Sequence, residues 1–286
     1  MKLTNECILC ILNQTLNVCK TLNIDEDKTK EVLDEIASFV KEMKFDQTPP
    51  YVASFVYQKI SKILNIEDLY STQKELAIIK AKTLFEYTKD IVQNANDKLL
   101  FAIKASIAGN VLDLATPTNF CLDEEISKIF SNNFEIDNHE ELKNDILIAK
   151  KIVYLADNAG ENIFDNILLK TIKSINPTCK IFYATRSKPI INDITYHEAL
   201  KCGHEEFAEV VDSGVDSPGF IFEKSTDKFL KLFEDCDFVI SKGMGNFETL
   251  ESYKDKKIYF LFKVKCNIVA THINKNVGDI ICMKNI

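Results

Sequence analysis

Four short segments concentrate the side chains that could do chemistry in this chain. They are Asp157-Asn158-Ala159-Gly160-Glu161; TRSKPIINDIT, with Arg186, Lys188, Asn192 and Asp193; SKGMGNFE, with Lys242, Gly243, Gly245, Asn246 and Glu248; and FKVKC, with Lys263 and Lys265. Carboxylate and side-chain amide oxygens, completed by water, suit hard or borderline divalent cations such as Mg²⁺ or Mn²⁺. A closed zinc site is not indicated: no His-x3-His occurs, and no second CxxC pairs with Cys7 and Cys10. An oxygen-ligated cation with open positions binds phosphate oxygens and activates water. Lys242 and the backbone N–H groups of Gly243 to Asn246 would hold the remaining phosphate oxygens, and glycine there lets the backbone come close to an anion.

Each segment alone has an ordinary explanation. Asp157 suits a helix N-cap. Glu161, four residues on, suits the same cap or a solvated helix face. Asp193 and Thr195 read as turn residues after Pro189. KGMGN is a weak glycine loop and not a Walker A sequence. Cys7 and Cys10 share a helix face with Ile11 and Leu12, which points to packing rather than to metal or redox work. The four histidines, His139, His197, His204 and His272, show no ligand spacing. Asn110, at the polar end of an apolar helix, could bond across a domain interface or reach the active edge.

The elements that carry these segments give them meaning together. Apolar runs at Lys151–Ala156, Lys180–Thr185, Glu209–Asp212, Asp237–Ser241, Lys257–Phe262 and Val277–Met283 read as strands. Helical patterns at Phe164–Ile175, Asn192–Cys202, Gly219–Phe233 and Asn246–Ser252 separate most of them. Continuous apolar strands alternating with helices imply a mostly parallel sheet covered on both faces, an α/β fold of three Rossmann-like layers. In such a sheet the strands end on one edge and ligands bind outside it. The segments after the first, second, fourth and fifth strands therefore converge there; the third offers only DSGVDSPG, mostly turn chemistry.

Residues 1–150 hold one glycine, Gly109, and residues 151–286 hold seven. The first half, 1–150, therefore reads as an all-helical subdomain packed on the α/β domain of 151–286. Its helices are expected at 5–21, 26–43, 50–64, 70–93, 97–114, 123–131 and 138–150, with Pro49-Pro50 and Pro117 as breaks and starts. ANDKLLFAIKASIAGNVLDLA is apolar almost all round and should be the buried helix of this half.

With 46% hydrophobic and 27% charged residues the chain suits a soluble globular protein. A net charge of −8 and no basic stripe argue against nucleic acid or an anionic membrane as partner. The N-terminus has an apolar core of only six residues, Cys7 to Leu12, so neither signal peptide nor membrane span is expected. Nine scattered cysteines then read as reduced thiols in the cytoplasm.

LADNAGENIFD, RSKPIINDIT, SKGMGNFETL and FKVKCNIVA, in this order, resemble the signature blocks of the metal-dependent damage-control phosphatases. The likeness extends to ECILCILNQTL, TPPYVASFVYQKI and IAGNVLDLA, and points to the short stand-alone microbial branch. It implies one divalent metal (Mg²⁺, Mn²⁺, Co²⁺ or Ni²⁺), with ligands on Asp157, Asn158 and Asp193. It also implies a phosphate contact from Lys263 or Lys265, of which Lys263 is preferred here. The implied activity is hydrolysis of phosphate from small, damaged or surplus metabolites. The nucleophile would be a metal-polarised water, with attack by Asp157 or Asp193 the alternative. Glu161 would orient a ligand or a water. Arg186, Lys242, Gly243, Asn246, Lys263, Lys265 and Asn110 are the candidate substrate contacts. A non-catalytic sensor of a phosphorylated metabolite or nucleotide is the competing reading. A dinucleotide oxidoreductase would need Gly-x-Gly-x-x-Gly after the first strand, where the chain has Ala-Gly-Glu.

Overall fold

Side-chain caps and prolines set the starts of the N-terminal helices in this computed structural model, which describes residues 1–109 and 130–285. Helix α1 (Asn5–Thr21) starts where Thr4 accepts from the Cys7 N–H, and α2 (Glu26–Phe39) where Asp25 accepts from Lys28. Helix α3 (Pro49–Leu64) opens on two prolines behind the Thr48 cap, positions where a missing N–H is harmless. Helices α4 (Ser71–Asn94) and α5 (Lys98–Ala108) follow, the latter capped by Asp97. Every residue of α5 from Ala102 to Ala108 is buried, as its apolar circumference requires. The helix expected at 123–131, with Asn110, Asp113 and Pro117, lies outside the described residues, apart from 130 and 131 at its end.

Seven strands form one sheet: β1 (Ile136–Asp137), β2 (Lys151–Leu155), β3 (Lys180–Thr185), β4 (Glu209–Asp212), β5 (Phe238–Lys242), β6 (Ile258–Lys263) and β7 (Ile280–Lys284). Their order is β1-β7-β6-β5-β2-β3-β4, and every pairing is parallel except β6 with β7. Helices α6 (His139–Ile148), α7 (Glu161–Ile175), α8 (Tyr196–Ala199), α9 (Asp227–Asp235), α10 (Met244–Leu250) and α11 (Asn267–Ile273) complete the described architecture. Alternate strand residues face opposite layers. Ile152, Tyr154, Tyr183 and Ile240 pack under α5 and α7, while Val153, Leu155, Val239 and Phe260 pack with α9 and α10.

A separate core joins α1, α2 and α3 through Val18, Val32, Ile36, Val56 and Ile60, and takes in Ile190 from the loop after β3. Helices α4 and α5 instead share the core of the sheet. The cores thus divide inside the first half of the chain.

Local differences from the sequence reading have local causes. A helix was expected over Asn192–Cys202, but only Tyr196–Ala199 is α-helical. The Asp193 N–H closes a turn onto the Ile190 carbonyl, and Glu198 accepts from the Thr195 N–H at 2.9 Å, starting the helix late. The pattern at Gly219–Phe233 splits into a 3₁₀ turn, Phe222–Lys224, and α9, whose cap is Thr226. Helix α2 ends at Phe39 and gives way to a 3₁₀ turn at Val40–Glu42. The sequence reading contained neither α11 nor the two-residue β1. Among the described residues no helix is long and apolar enough to cross a membrane.

Candidate active site

From β2 the chain winds to β3 and β4 on one side and then crosses to β5 and β6 on the other. The direction of winding reverses between β2 and β5, and a crevice opens at that reversal. Asp157 follows β2 there, and Gly243 follows β5. Gly243 has φ +79°, and a Cβ on it would come within 2.1 Å of Asp157 Oδ2. Only glycine lets the backbone after β5 pass this close to the carboxylate.

The loop after β3 meets the same point. Asn158 and Asp193 form an isolated antiparallel bridge, the Ile194 N–H donates to the Asp157 carbonyl at 2.8 Å, and the Ala159 N–H to that of Asn192 at 2.8 Å. Backbone pairing between two strand-end loops therefore brings Asp157, Asn158 and Asp193 together across 36 residues of sequence. All three line a cavity of about 540 Å³. Lys265, Met244, Gly245 and Glu248 form one wall, and Glu6, Cys7, Cys10 and Gln14 of α1 another. The first-turn N–H groups of α10 lack partners within the helix.

Behind the cavity lies a buried polar network. Lys242, with no exposed surface, bonds Glu161, Asp165 Oδ1 at 2.8 Å and the Ser106 carbonyl at 2.8 Å. Tyr154 and Tyr183 donate to the two oxygens of Asp165 at 2.6 and 2.8 Å. Asn158 Nδ2 donates to Asp157 Oδ2 at 2.8 Å and to Glu161 Oε2 at 3.3 Å, joining the network to the cavity. Arg186, the single arginine of the chain, is 3% exposed. Its Nε donates to Asp193 Oδ2 at 2.8 Å and its Nη2 to Asn246 Oδ1 at 3.0 Å. Asn246 is otherwise spent on the backbone of Ala156, Lys242 and Phe220.

Four buried carboxyl groups, Asp157, Glu161, Asp165 and Asp193, thus face two buried cations of this cluster, Lys242 and Arg186. Burial and the neighbouring Asp193 push Asp157 up to about 7, against the pull of Lys265, Arg186 and Lys242. Burial raises Asp193 too, despite Arg186. Burial pushes Glu161 up to about 8 against Lys242, with Asp157 and Asp165 adding to the rise. Burial alone would lower Lys242; Asp165 and Glu161 reverse this and hold it above the ordinary lysine range. The donor set formed by Asp157, Asn158 and Asp193 on the cavity wall is thus oxygen-only and short of positive charge, which fits a hard divalent cation.

Residues 3–281 match the family described as the damage-control phosphatase ARMT1-like domain. The chain belongs to the damage-control phosphatase ARMT1-like family. A damage-control phosphatase of Pyrococcus horikoshii is 31% identical across 100% of this chain and 99% of its own length. One from Archaeoglobus fulgidus is 31% identical over 98% of each. An uncharacterised protein of Methanocaldococcus jannaschii is 33% identical over 99% of this chain and 96% of its own. The crystal structure of a DUF89 family protein from Pyrococcus horikoshii superposes with a TM-score of 0.92 at 29% identity, covering all of both chains. Family and fold therefore agree, and membership in the damage-control phosphatase family supports phosphatase activity.

In this damage-control phosphatase chain several expected substrate contacts lie elsewhere. Lys242 does not line the cavity, because Phe238, Ile240 and Lys242 share the strand face under α5 and α7. Arg186 and Asn246 are buried behind Asp193 rather than on the wall. Of the two candidate lysines, Lys265 lines the cavity and Lys263, preferred from sequence, does not. Glu161 lies below the wall, and Gly243 touches Asp157 instead. Asn110 is outside the described residues. Cys7 is partly packed and Cys10 exposed, and both face the cavity, as does Cys266.

Asp165, Tyr154 and Tyr183 escaped the sequence reading. Asp165 stands four residues after Glu161 on the same face of α7, so ENIFD carried its signal. Pro218, from the segment read as turn chemistry, also lines the cavity. Among the described residues one cluster of His, Asp and Glu with metal-like spacing occurs: Asp97, His139 and Glu140. It lies at the opposite edge of the sheet, since β1 runs antiparallel to β6. Lys143 stands 3.9 Å from Asp97 and 3.6 Å from Glu140, so the cluster already has a cation.

Proposed function

We propose that this chain is a divalent-cation-dependent phosphatase that hydrolyses phosphate monoesters of small metabolites. The observation that carries this reading is the pairing of Asn158 with Asp193 beside Asp157 on a cavity of metabolite size. Asp157, Asn158 and Asp193 would hold the cation. When bound there, such a cation polarises phosphoryl oxygens and lowers the pKa of water.

The chain's own groups do the rest. Lys265 supplies positive charge to phosphate oxygens from the wall, and Met244 and Gly245 present backbone N–H groups. Arg186 orients Asp193 by its Nε, and Glu161 orients Asn158 by accepting from Nδ2. Lys242 donates to Glu161 in a dry interior and pulls it towards the carboxylate against the effect of burial.

Chelator-stripped protein should release no phosphate from p-nitrophenyl phosphate, and Mn²⁺, Co²⁺, Ni²⁺ or Mg²⁺ should restore release. Asp157→Ala and Asp193→Ala should each lower kcat by at least about a hundredfold, the scale of losing one charge-stabilising group. Full cation-dependent activity in both variants would remove the assignment. Tight metabolite binding without turnover would instead identify a sensor.

A further inference from the structure

The loop that carries Asp193 contains a backbone anomaly. Ile191 has φ +47°, where a β-branched side chain crowds its own backbone. The other non-glycine residues with positive φ among the described residues are Asn23, Asn65 and Asn274, a residue type that tolerates the conformation. Ile191 is the first central residue of the turn closed by the Asp193 N–H on the Ile190 carbonyl at 3.1 Å. Turns with positive φ at that position are normally built from glycine, asparagine or aspartate. Local preference therefore opposes this turn, and its surroundings must impose it.

Two sets of contacts do so. On one side Ile190 is buried and Ile191 half-buried against the α1–α3 core. On the other, the backbone of Asn192, Asp193 and Ile194 is bonded to the loop Asp157–Ala159. Ile191 also lines the cavity itself. The strained turn is thus clamped between the helical bundle and the loop carrying Asp157 and Asn158.

We propose that Ile191 is a positioning residue, through which the α1–α3 bundle holds the turn strained and fixes Asp193 against Asp157 and Asn158. The proposal rests on Asp193 being a cation ligand. A glycine would accept the turn without strain, but it would not anchor it in the bundle.

The test uses full-length, metal-stripped protein and its Ile191→Gly, Ile191→Ala and Ile191→Val variants. Melting temperature is read without metal, and Mn²⁺ affinity by calorimetry. Alanine keeps the steric penalty and glycine removes it, so the Gly variant should melt no lower than the Ala variant, against the usual order. Both should bind Mn²⁺ about tenfold more weakly than wild type, the low end of losses when a ligand's support is removed. The Val variant keeps most of the anchor and should stay within about twofold. An Ala variant that melts above the Gly variant would show that the turn is not strained. Wild-type Mn²⁺ affinity in the Gly and Ala variants would show that Ile191 does not position Asp193. Both results overturn the proposal and leave the phosphatase reading intact. Wild-type protein that binds no divalent cation would instead overturn that reading, and this proposal with it.

Discussion

Lys242 reaches Glu161, Asp165 and the Ser106 carbonyl from the last residue of β5, with no surface open to water. Removing one partner of a buried ion pair leaves an uncompensated charge, which costs more than the pair itself contributes. Lys242→Met should therefore lower the unfolding free energy by about 3–5 kcal/mol in urea titrations. Misplacing this lysine in the sequence reading has a simple cause: position after a strand does not say which way a side chain points. Its period-2 register with Phe238 and Ile240 did carry that information. The convergence of Asp157, Asn158 and Asp193 was legible because their backbone position, at strand ends, was enough.

His204 is a second buried group with a defined protonation state. The Asn166 amide is fixed by donating to the Cys202 carbonyl at 2.9 Å, so its oxygen must accept from His204 Nδ1. Asn162 accepts from the Gly160 N–H at 2.8 Å, so its amide nitrogen must face His204 Nε2. Only the neutral ring with hydrogen on Nδ1 satisfies both. Burial accordingly lowers His204 from 6.5 to about 4. The unfolded chain therefore takes the proton first. The contribution is fully present above pH 6.5 and is lost as pH falls towards 4. At about 1.4 kcal/mol per pH unit this comes to about 3 kcal/mol. In urea titrations at pH 7.5 and 4.5, His204→Gln should lose less stability than wild type between the two values by about that amount.

At the scale of elements, the site depends on where two loops leave the sheet. Gly243 brings the turn after β5 against the Asp157 carboxylate. Gly243→Ala adds a methyl into that contact and a strained φ, so the carboxylate or the turn must move. Cation affinity should fall by at least about tenfold, measured by calorimetry, since ligand geometry is disturbed directly. The strand pattern was readable because buried parallel strands are continuous apolar runs. Helix ends were less so. The helix after β3 shrank to Tyr196–Ala199 because the turn at Ile190–Asp193 and the Glu198 bond to Thr195 are contacts that apolar periodicity does not register.

Over the whole molecule, the α1–α3 bundle covers the reversal point of the sheet and contributes the cavity wall bearing Glu6, Cys7, Cys10 and Gln14. The contrast in glycine content separated helices from sheet in the sequence. It could not show that α4 and α5 belong to the sheet's core, because core membership depends on contacts distant in sequence. A cation that Asp157, Asn158 and Asp193 held, as proposed, would bind the native state alone. At one hundred times its Kd it should add about 2.7 kcal/mol to stability. Calorimetric melting with Mn²⁺ should show that gain in wild type and none in Asp193→Ala.

Arg186 is the only guanidinium in the chain and lies sealed behind Asp193. An arginine-selective dicarbonyl reagent therefore has one target, and it can reach that target only when the packing of the guanidinium against Asp193 and Asn246 opens. The labelling rate, followed by mass spectrometry, becomes a clock for the breathing of the crevice, and a ligand that clamps the two loops together should slow it.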